Sequence, residues 1–252
     1  MTQNRSGFPQ NSQTCYISSI VQTQQSKTAI FLLTAGCFFA FFVFGFTDNL
    51  KGATLPAMLA DLNFNYGVGG NIFFGVYLGF LIATLVTGIL ADRFGLKSVV
   101  LLAGLFLGIG VGGYSLSNSA LLLFASMLIV GMGLGALELG PNAIIASLHR
   151  ERKGLYLNLM AVLHGLGSLL APLFAGWLLS LGVSWRVIYR WDLVLVALFA
   201  AVFLFLRFPK ADEASQIDFR RLRQAAFKGD LPWFYAAICF YVAAEIGMGQ
   251  WL

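Results

Sequence analysis

Charge is scarce in this sequence. Asp, Glu, Lys and Arg make up 11% of the 252 residues, against 58% hydrophobic residues and a mean hydropathy of +0.79. That balance excludes a water-soluble globular domain and defines an integral, multi-pass membrane protein. Cysteine is scarce too. Cys15, Cys37 and Cys239 show neither pairing nor metal-ligand spacing, so a disulfide framework and a zinc site are not expected. No nucleophile–base pair or metal cluster sits at an interface, which argues against an enzyme and leaves no cofactor to place. The pI near 9.2 is compatible with nucleic-acid binding. The basic residues, however, stand in short loops between apolar runs, where they act as topology signals facing anionic lipid; nucleic acid is not an expected partner.

What is present is a succession of charge-free runs. Residues 1–27 are rich in Gln, Ser, Thr and Asn, and read as a disordered cytoplasmic leader. Helix 1 begins near Thr28 and is uncharged to Thr47, which already suffices to cross ~30 Å of hydrocarbon. It is expected to continue, kinked, through Asp48 and Pro56 towards Leu59. The alternative ends it at Asp48, with Lys51 as an interfacial partner, and leaves a long loop. Helix 2 occupies about Tyr66–Leu90. The run from Ser98 to Leu137 is too long for one span, and the segment from Gly112 to Ser119 breaks it into helices 3 and 4. Helix 4 closes at the cluster His149 to Gly154, helix 5 spans about Tyr156–Leu181, and helix 6 runs from the Arg186–Asp192 region to Pro209.

These spans make residues 28–208 a six-helix bundle. Residues 209–230 form a charged linker, either solvated or folded as an amphipathic helix at the cytoplasmic surface through Phe219, Leu222 and Ala226. A seventh helix is expected to start at 231 and to be cut short at Leu252. An N-in arrangement leaves only Lys51, Arg186 and Arg190 of the 16 basic residues on the outer side, so the N-terminus is expected in the cytoplasm, at a plasma (inner) membrane. That orientation argues against a seven-helix receptor.

The turn between helices 2 and 3 reads Gly88-Ile89-Leu90-Ala91-Asp92-Arg93-Phe94-Gly95-Leu96-Lys97. Gly88 permits close approach of a neighbouring helix, Gly95 allows the positive φ of a tight reversal, and Asp92 can face a helix N-terminus. Arg93 and Lys97 hold the turn on the cytoplasmic side. The pattern G-x-x-x-D-R-x-G-x-K resembles the signature of the major facilitator superfamily, although Leu96 replaces one of two usual basic residues. The resemblance implies an all-α half-bundle built as a 3+3 inverted repeat, with a conformational switch at Gly88, Asp92, Arg93, Gly95 and Lys97. It also implies a missing C-terminal six-helix half, so the chain is read as a fragment or a truncated product. Repeat symmetry is legible in two places. Gly45 to Asn49 resembles Gly135 to Asn142, and Gly88-Ile89-Leu90 with Lys97 resembles Gly176-Trp177-Leu178 with Arg186.

Polar residues inside spans are costly and mark function by default. Glu138 lies in an otherwise uncharged part of helix 4, beside Gly131, Gly133, Gly135 and Gly140, with Asn142 one turn later. Such a carboxyl can bind and release a proton during transport, and the alternative is a structural carboxyl neutralised by a neighbouring helix. Asp48 is a second proton-coupling candidate. Asn49, Asn142, Asn158, His164 and Glu245 are substrate-binding candidates. For His164, a helix–helix hydrogen bond is an equal alternative.

Asp-Asn-x-x-Gly-x-x-x-Pro in helix 1, Gly-Leu-Gly-x-Leu-Glu-x-x-x-Asn in helix 4, Leu-Asn-Leu in helix 5 and Tyr-Val-x-x-Glu in helix 7 resemble the fucose/glucose/mannose:proton symporter branch. That implies proton-coupled uptake of a sugar or similar small polar solute, driven by the proton gradient. In the fucose-transporting members the helix 1 acid lies one turn later, where Gly52 stands here. Two alternatives remain: a proton-driven exporter of amphipathic compounds, and a non-transporting half-transporter acting as a sensor or partner protein. The helix 5 stretch from Gly167 to Gly176 is a degraded antiporter pattern that small-residue helix packing accounts for.

Overall fold

The structure is a computed structural model. It describes residues 11–206 and 208, with the isolated positions 233, 237, 240 and 241, and it describes side chains from residue 27 onward. The expected linker (209–230) and seventh helix (231–252), Glu245 included, lie outside the described residues apart from those isolated positions. Five helices follow one another: α1 (Asn11–Leu62), α2 (Tyr66–Leu116), α3 (Ala120–Leu148), α4 (Lys153–Ser180) and α5 (Trp185–Phe205).

Helix α2 is two spans in one helical run. Its 51 residues would reach roughly 76 Å if straight, more than twice a bilayer core. The run folds at Gly95, whose φ of 79° and ψ of 161° are non-helical, into arms 66–94 and 96–116. The left-handed φ explains why glycine stands there, as the sequence required. Each of the other helices is apolar and long enough for one crossing, so the described residues hold six spans. Breaks elsewhere have local causes. The Asn65 side chain caps α2 by accepting from the Val68 N–H at 2.9 Å, and Ser119 caps α3 by accepting from Leu122. Gly182, at φ 77°, turns the chain between α4 and α5.

Two expectations about α1 have different outcomes. The helix does pass through Asp48 and Pro56 without interruption, so Asp48 lies within it rather than at its end. Yet the helical backbone reaches back to Asn11, where the composition led us to expect no regular structure. Once an apolar helix is nucleated, extending it costs only one residue's freedom per hydrogen bond, so polar sequence can continue it.

The packing is an inverted repeat. Helix α1 packs on α4, the first arm of α2 packs on α3, and the second arm of α2 packs on α5. Two of these seams are glycine contacts of the same form. A Cβ on Gly45 would stand 2.0 Å from the His164 carbonyl oxygen, and one on Gly167 would stand 2.3 Å from that of Phe42. Likewise a Cβ on Gly131 would stand 2.0 Å from the Val76 carbonyl oxygen, and one on Gly79 would stand 1.9 Å from that of Leu128. In every case the oxygen belongs to the residue three before the partner glycine. Helices in lipid associate through such close backbone approach, because apolar burial drives them little there.

This geometry corrects one register. Gly45 corresponds to Gly131, not to Gly135, so the structural counterpart of Glu138 in α1 is Gly52 rather than Asp48. The second symmetry reading stands: Gly79 is to Gly167 as Gly88 is to Gly176.

The ends of the bundle obey the same symmetry. At the end carrying the Gly95 turn, Lys97 Nζ donates to the carbonyls of Leu204 (3.1 Å) and Leu206 (3.0 Å), at the close of α5. At the opposite end, Arg186 Nη1 donates to the carbonyls of Ser115 (3.3 Å) and Ser117 (2.7 Å), at the close of α2. The sequence spacing from Lys97 to Arg186 is that from Ser115 to Leu204 and from Ser117 to Leu206. Each cation therefore satisfies the orphan carbonyls of the symmetry-related helix. Large apolar side chains such as Leu85, Leu121 and Leu173 stay exposed, at 70, 75 and 61%. In water they would be a liability; facing lipid they are the correct surface.

Candidate functional site

The polar residues of the spans fall into three groups. The first is on α3. Asn142 Nδ2 donates to the Glu138 carbonyl at 2.8 Å and to Glu138 Oε1 at 3.2 Å. Both residues are half-buried, and no cation pairs with Glu138 among the described residues. The i, i+4 spacing produces this contact directly, and Asn142 keeps its own carbonyl oxygen free for another donor. The glycines expected to let helices close around this acid do so: Gly133 meets Leu107, Gly135 meets Phe80 and Ala83, and Gly140 meets Val100.

The second group lies on the α1–α4 seam. Asn49 Nδ2 donates to the Gly45 carbonyl at 2.9 Å and to Ser168 Oγ at 2.8 Å. One of its amide hydrogens is spent within α1 and the other on joining α1 to α4, which leaves only its carbonyl oxygen for a solute. His164 stands edge-on to Phe44, ring centroids 4.7 Å apart, and to Phe41 at 6.5 Å. Asn158 is exposed on α4.

The third group was not foreseen as a unit. Asp48 forms an ion pair with Lys51, whose Nζ also donates to the Asp48 carbonyl at 2.7 Å. Lys51 is only 2% exposed and lies 5.6 Å from the Tyr77 ring centroid. Next to Asp48, Thr47 Oγ1 donates to Asp192 Oδ1 of α5 at 2.9 Å, and Tyr189 approaches Thr54 at 3.3 Å. A cavity of about 10 Å³ adjoins the group and is lined by Thr47, Asp48, Lys51 and Tyr189 with apolar residues of α2 and α3, room for about one water. Sequence reasoning misses Asp192 because it follows Arg190 and Trp191 at the start of a helix. The available signal was that Tyr189 and Asp192 share a helical face that Arg190 does not.

Among the described residues no hydrogen bond or ion pair links Glu138, Asn142 or Asn49 to the Asp48–Lys51 and Thr47–Asp192 pairs. The switch residues are placed as follows. Asp92 and Arg93 are exposed at the end carrying the Gly95 turn and have no partner among the described residues. Nothing lies within 4 Å of a Cβ at Gly88, so the close approach expected there is not made by these six spans. Lys97 does more than mark topology, since it closes α5. At the same end, His149 joins three helices: its Nε2 lies 2.8 Å from Thr34 Oγ1, and its ring stacks on Tyr156 at 3.6 Å. Burial holds its imidazole below the ordinary 6.5.

Six spans related as an inverted repeat, with acids inside them on separate helices, make this a polytopic α-helical membrane bundle. Residues 37–252 match the model of the Major Facilitator Superfamily, and the chain belongs to that family, one of transporters rather than enzymes. The chain is 29% identical over 208 residues to the uncharacterised MFS-type transporter YfiU of Bacillus subtilis, covering 79% of this chain and 38% of that protein. It is 31% identical over 142 residues to sodium-dependent glucose transporter 1 of Rattus norvegicus, covering 54% of this chain and 28% of that one. It thus spans well under half the length of these relatives. Among solved structures it resembles the proton:xylose symporter XylE bound to 6-bromo-6-deoxy-D-glucose, with a TM-score of 0.62 at 17% identity over 71% of this chain and 45% of that one. It also resembles the peptide transporter POT, at TM-score 0.59 and 17% identity, over 88% of this chain and 47% of that one. At such identities the likeness is one of fold.

Proposed function

We propose that this chain is the N-terminal half of a secondary active transporter that takes up a sugar or similar small polar solute together with protons, by alternating access. The observation that carries the reading is the Glu138–Asn142 pair, a carboxyl inside a span with an amide one turn away and no cation partner among the described residues. Such a group exchanges a proton as its surroundings alternate between wet and dry. The free carbonyl oxygens of Asn142 and Asn49 and the His164 ring are suited to hydroxyl groups of a solute. Relatives named as glucose transporters and a fold neighbour holding a hexose analogue favour the sugar class.

The basic residues of the loops favour a cytoplasmic N-terminus in the plasma membrane, which puts the Gly95 turn inside. In that orientation Asp92 and Gly88 await the second half-bundle, where the acid can meet a helix N-terminus. The sodium-dependent relatives make the coupling ion the point to test. In the full-length protein, Glu138→Gln keeps shape and hydrogen bonding but removes titration. Uphill uptake under an inward proton gradient should fall at least tenfold, while solute counterflow persists. Undiminished accumulation by the variant, corrected for abundance, removes Glu138 from the mechanism.

A further inference from the structure

Asp192 is the one fully buried acid among the described residues, at 0% exposure. Its Oδ1 accepts from Thr47, but no donor among the described residues reaches its Oδ2. The donors around it serve other acceptors. Thr54 donates to the Leu50 carbonyl at 2.8 Å, so the short contact at Thr54 Oγ1 uses the Tyr189 hydroxyl as donor. Lys51 gives its ammonium to the side chain and carbonyl of Asp48.

The other ionisable groups face elsewhere. On α5, Arg186 binds Asp61, Asn118 and the α2 carbonyls, and Arg190 is exposed. From α2, Tyr114 packs its ring 4.7 Å from Tyr189, and Tyr77 lies under Lys51. On α4, His164 lies against Phe41 and Phe44, while Lys153 and Tyr156 stand at the Gly95-turn end. A carboxylate here would be a dry charge held by one hydroxyl, far costlier than a neutral acid with one unmet hydrogen.

We propose that Asp192 is a proton-binding site, distinct from Glu138, that holds its proton while α1 and α5 are packed together and returns it to bulk water when they part. Thr47, beside Asp48, ties Asp192 to α1. Ionised Asp192 needs water or the Lys51 ammonium, and either requires α1 to move, so the proton favours the closed α1–α5 seam. No ligand other than a proton is needed to neutralise the group, and the adjoining cavity is too small for a hydrated cation.

The test is infrared spectroscopy of the full-length protein in lipid at neutral pH, reading the C=O stretch of protonated carboxyl groups. Asp192→Asn should remove one band that Glu138→Gln retains. Thr47→Val should keep that band and shift it to higher wavenumber, because the C=O loses its donor. An unchanged carboxyl region in Asp192→Asn overturns the proposal, as does an unmoved band in Thr47→Val. Bleaching of the band by sodium chloride at fixed pH, but not by choline chloride, also overturns it and assigns the site to a metal cation. If Asp192→Asn does not fold, the Thr47→Val shift decides alone. The readout needs no solute, so failure of the sugar-uptake reading leaves it standing, and its own failure leaves uptake untouched.

Discussion

Gly131→Ala is the sharpest perturbation of the packing account. A Cβ there begins 2.0 Å from the Val76 carbonyl oxygen, and ordinary contact starts at 3.4 Å, so α3 and the first arm of α2 must separate by roughly 1.4 Å. The obstacle is backbone, which no rotamer change can move aside. Separation along a helix seam also strips dispersion contacts from its neighbours, so the cost should lie near the top of the overpacking range, about 3 kcal/mol. Because the seam is repeated, Gly45→Ala should cost a similar amount, with its Cβ 2.0 Å from the His164 carbonyl oxygen. Gly108→Ala and Gly176→Ala meet nothing within 4 Å and should be neutral or slightly stabilising, since alanine favours a helix by roughly 0.5–1 kcal/mol. The assay is the yield of monodisperse protein in detergent and its thermal midpoint, all four variants side by side. A Gly131→Ala protein as abundant and as heat-stable as Gly108→Ala would mean that the α2–α3 seam does not depend on this backbone contact.

Other consequences follow from the bundle ends. Arg186→Met should lower the thermal midpoint more than Lys97→Met, because besides two carbonyls it strips Asn118 of its donor and Asp61 of its cation, leaving Asp61 only the Trp185 indole, at ~1.5–3 kcal/mol for charged hydrogen bonds; equal midpoints would count against any contribution from the Asp61 and Asn118 contacts. His149 is held below 6.5 by burial, so its contribution is full above that value and is lost as pH falls through the lowered one. The midpoint of the parent should therefore drop on acidification, and that of His149→Gln should drop less, in melts run between pH 4 and pH 7 in roughly half-unit steps. A parent as stable at the acid end as at neutrality would dismiss the His149 contact as a pH-sensitive joint.

The sequence made the spans legible because lipid demands long uncharged runs, and the Gly95 turn because only glycine suits its φ. Pairing was less legible. Glycines at 131, 133 and 135 offer several registers, and only the carbonyl each one meets selects Gly131 as the partner of Gly45. Glu138 and Asn142 could be paired from i, i+4 spacing alone. Asn49 could not be seen to spend a hydrogen on Ser168, and Asp192 could not be seen to be dry, because both facts depend on helices far apart in sequence.

Coupling of solute entry to proton entry is the central claim, and solute-induced proton movement tests it most directly. De-energised, lightly buffered cells making the full-length protein are given a panel of hexoses while external pH is followed. Proton coupling requires alkalinisation by the transported sugar, abolished by a protonophore and missing in Glu138→Gln. Sugar entry with no pH change, driven instead by a sodium gradient, would contradict it.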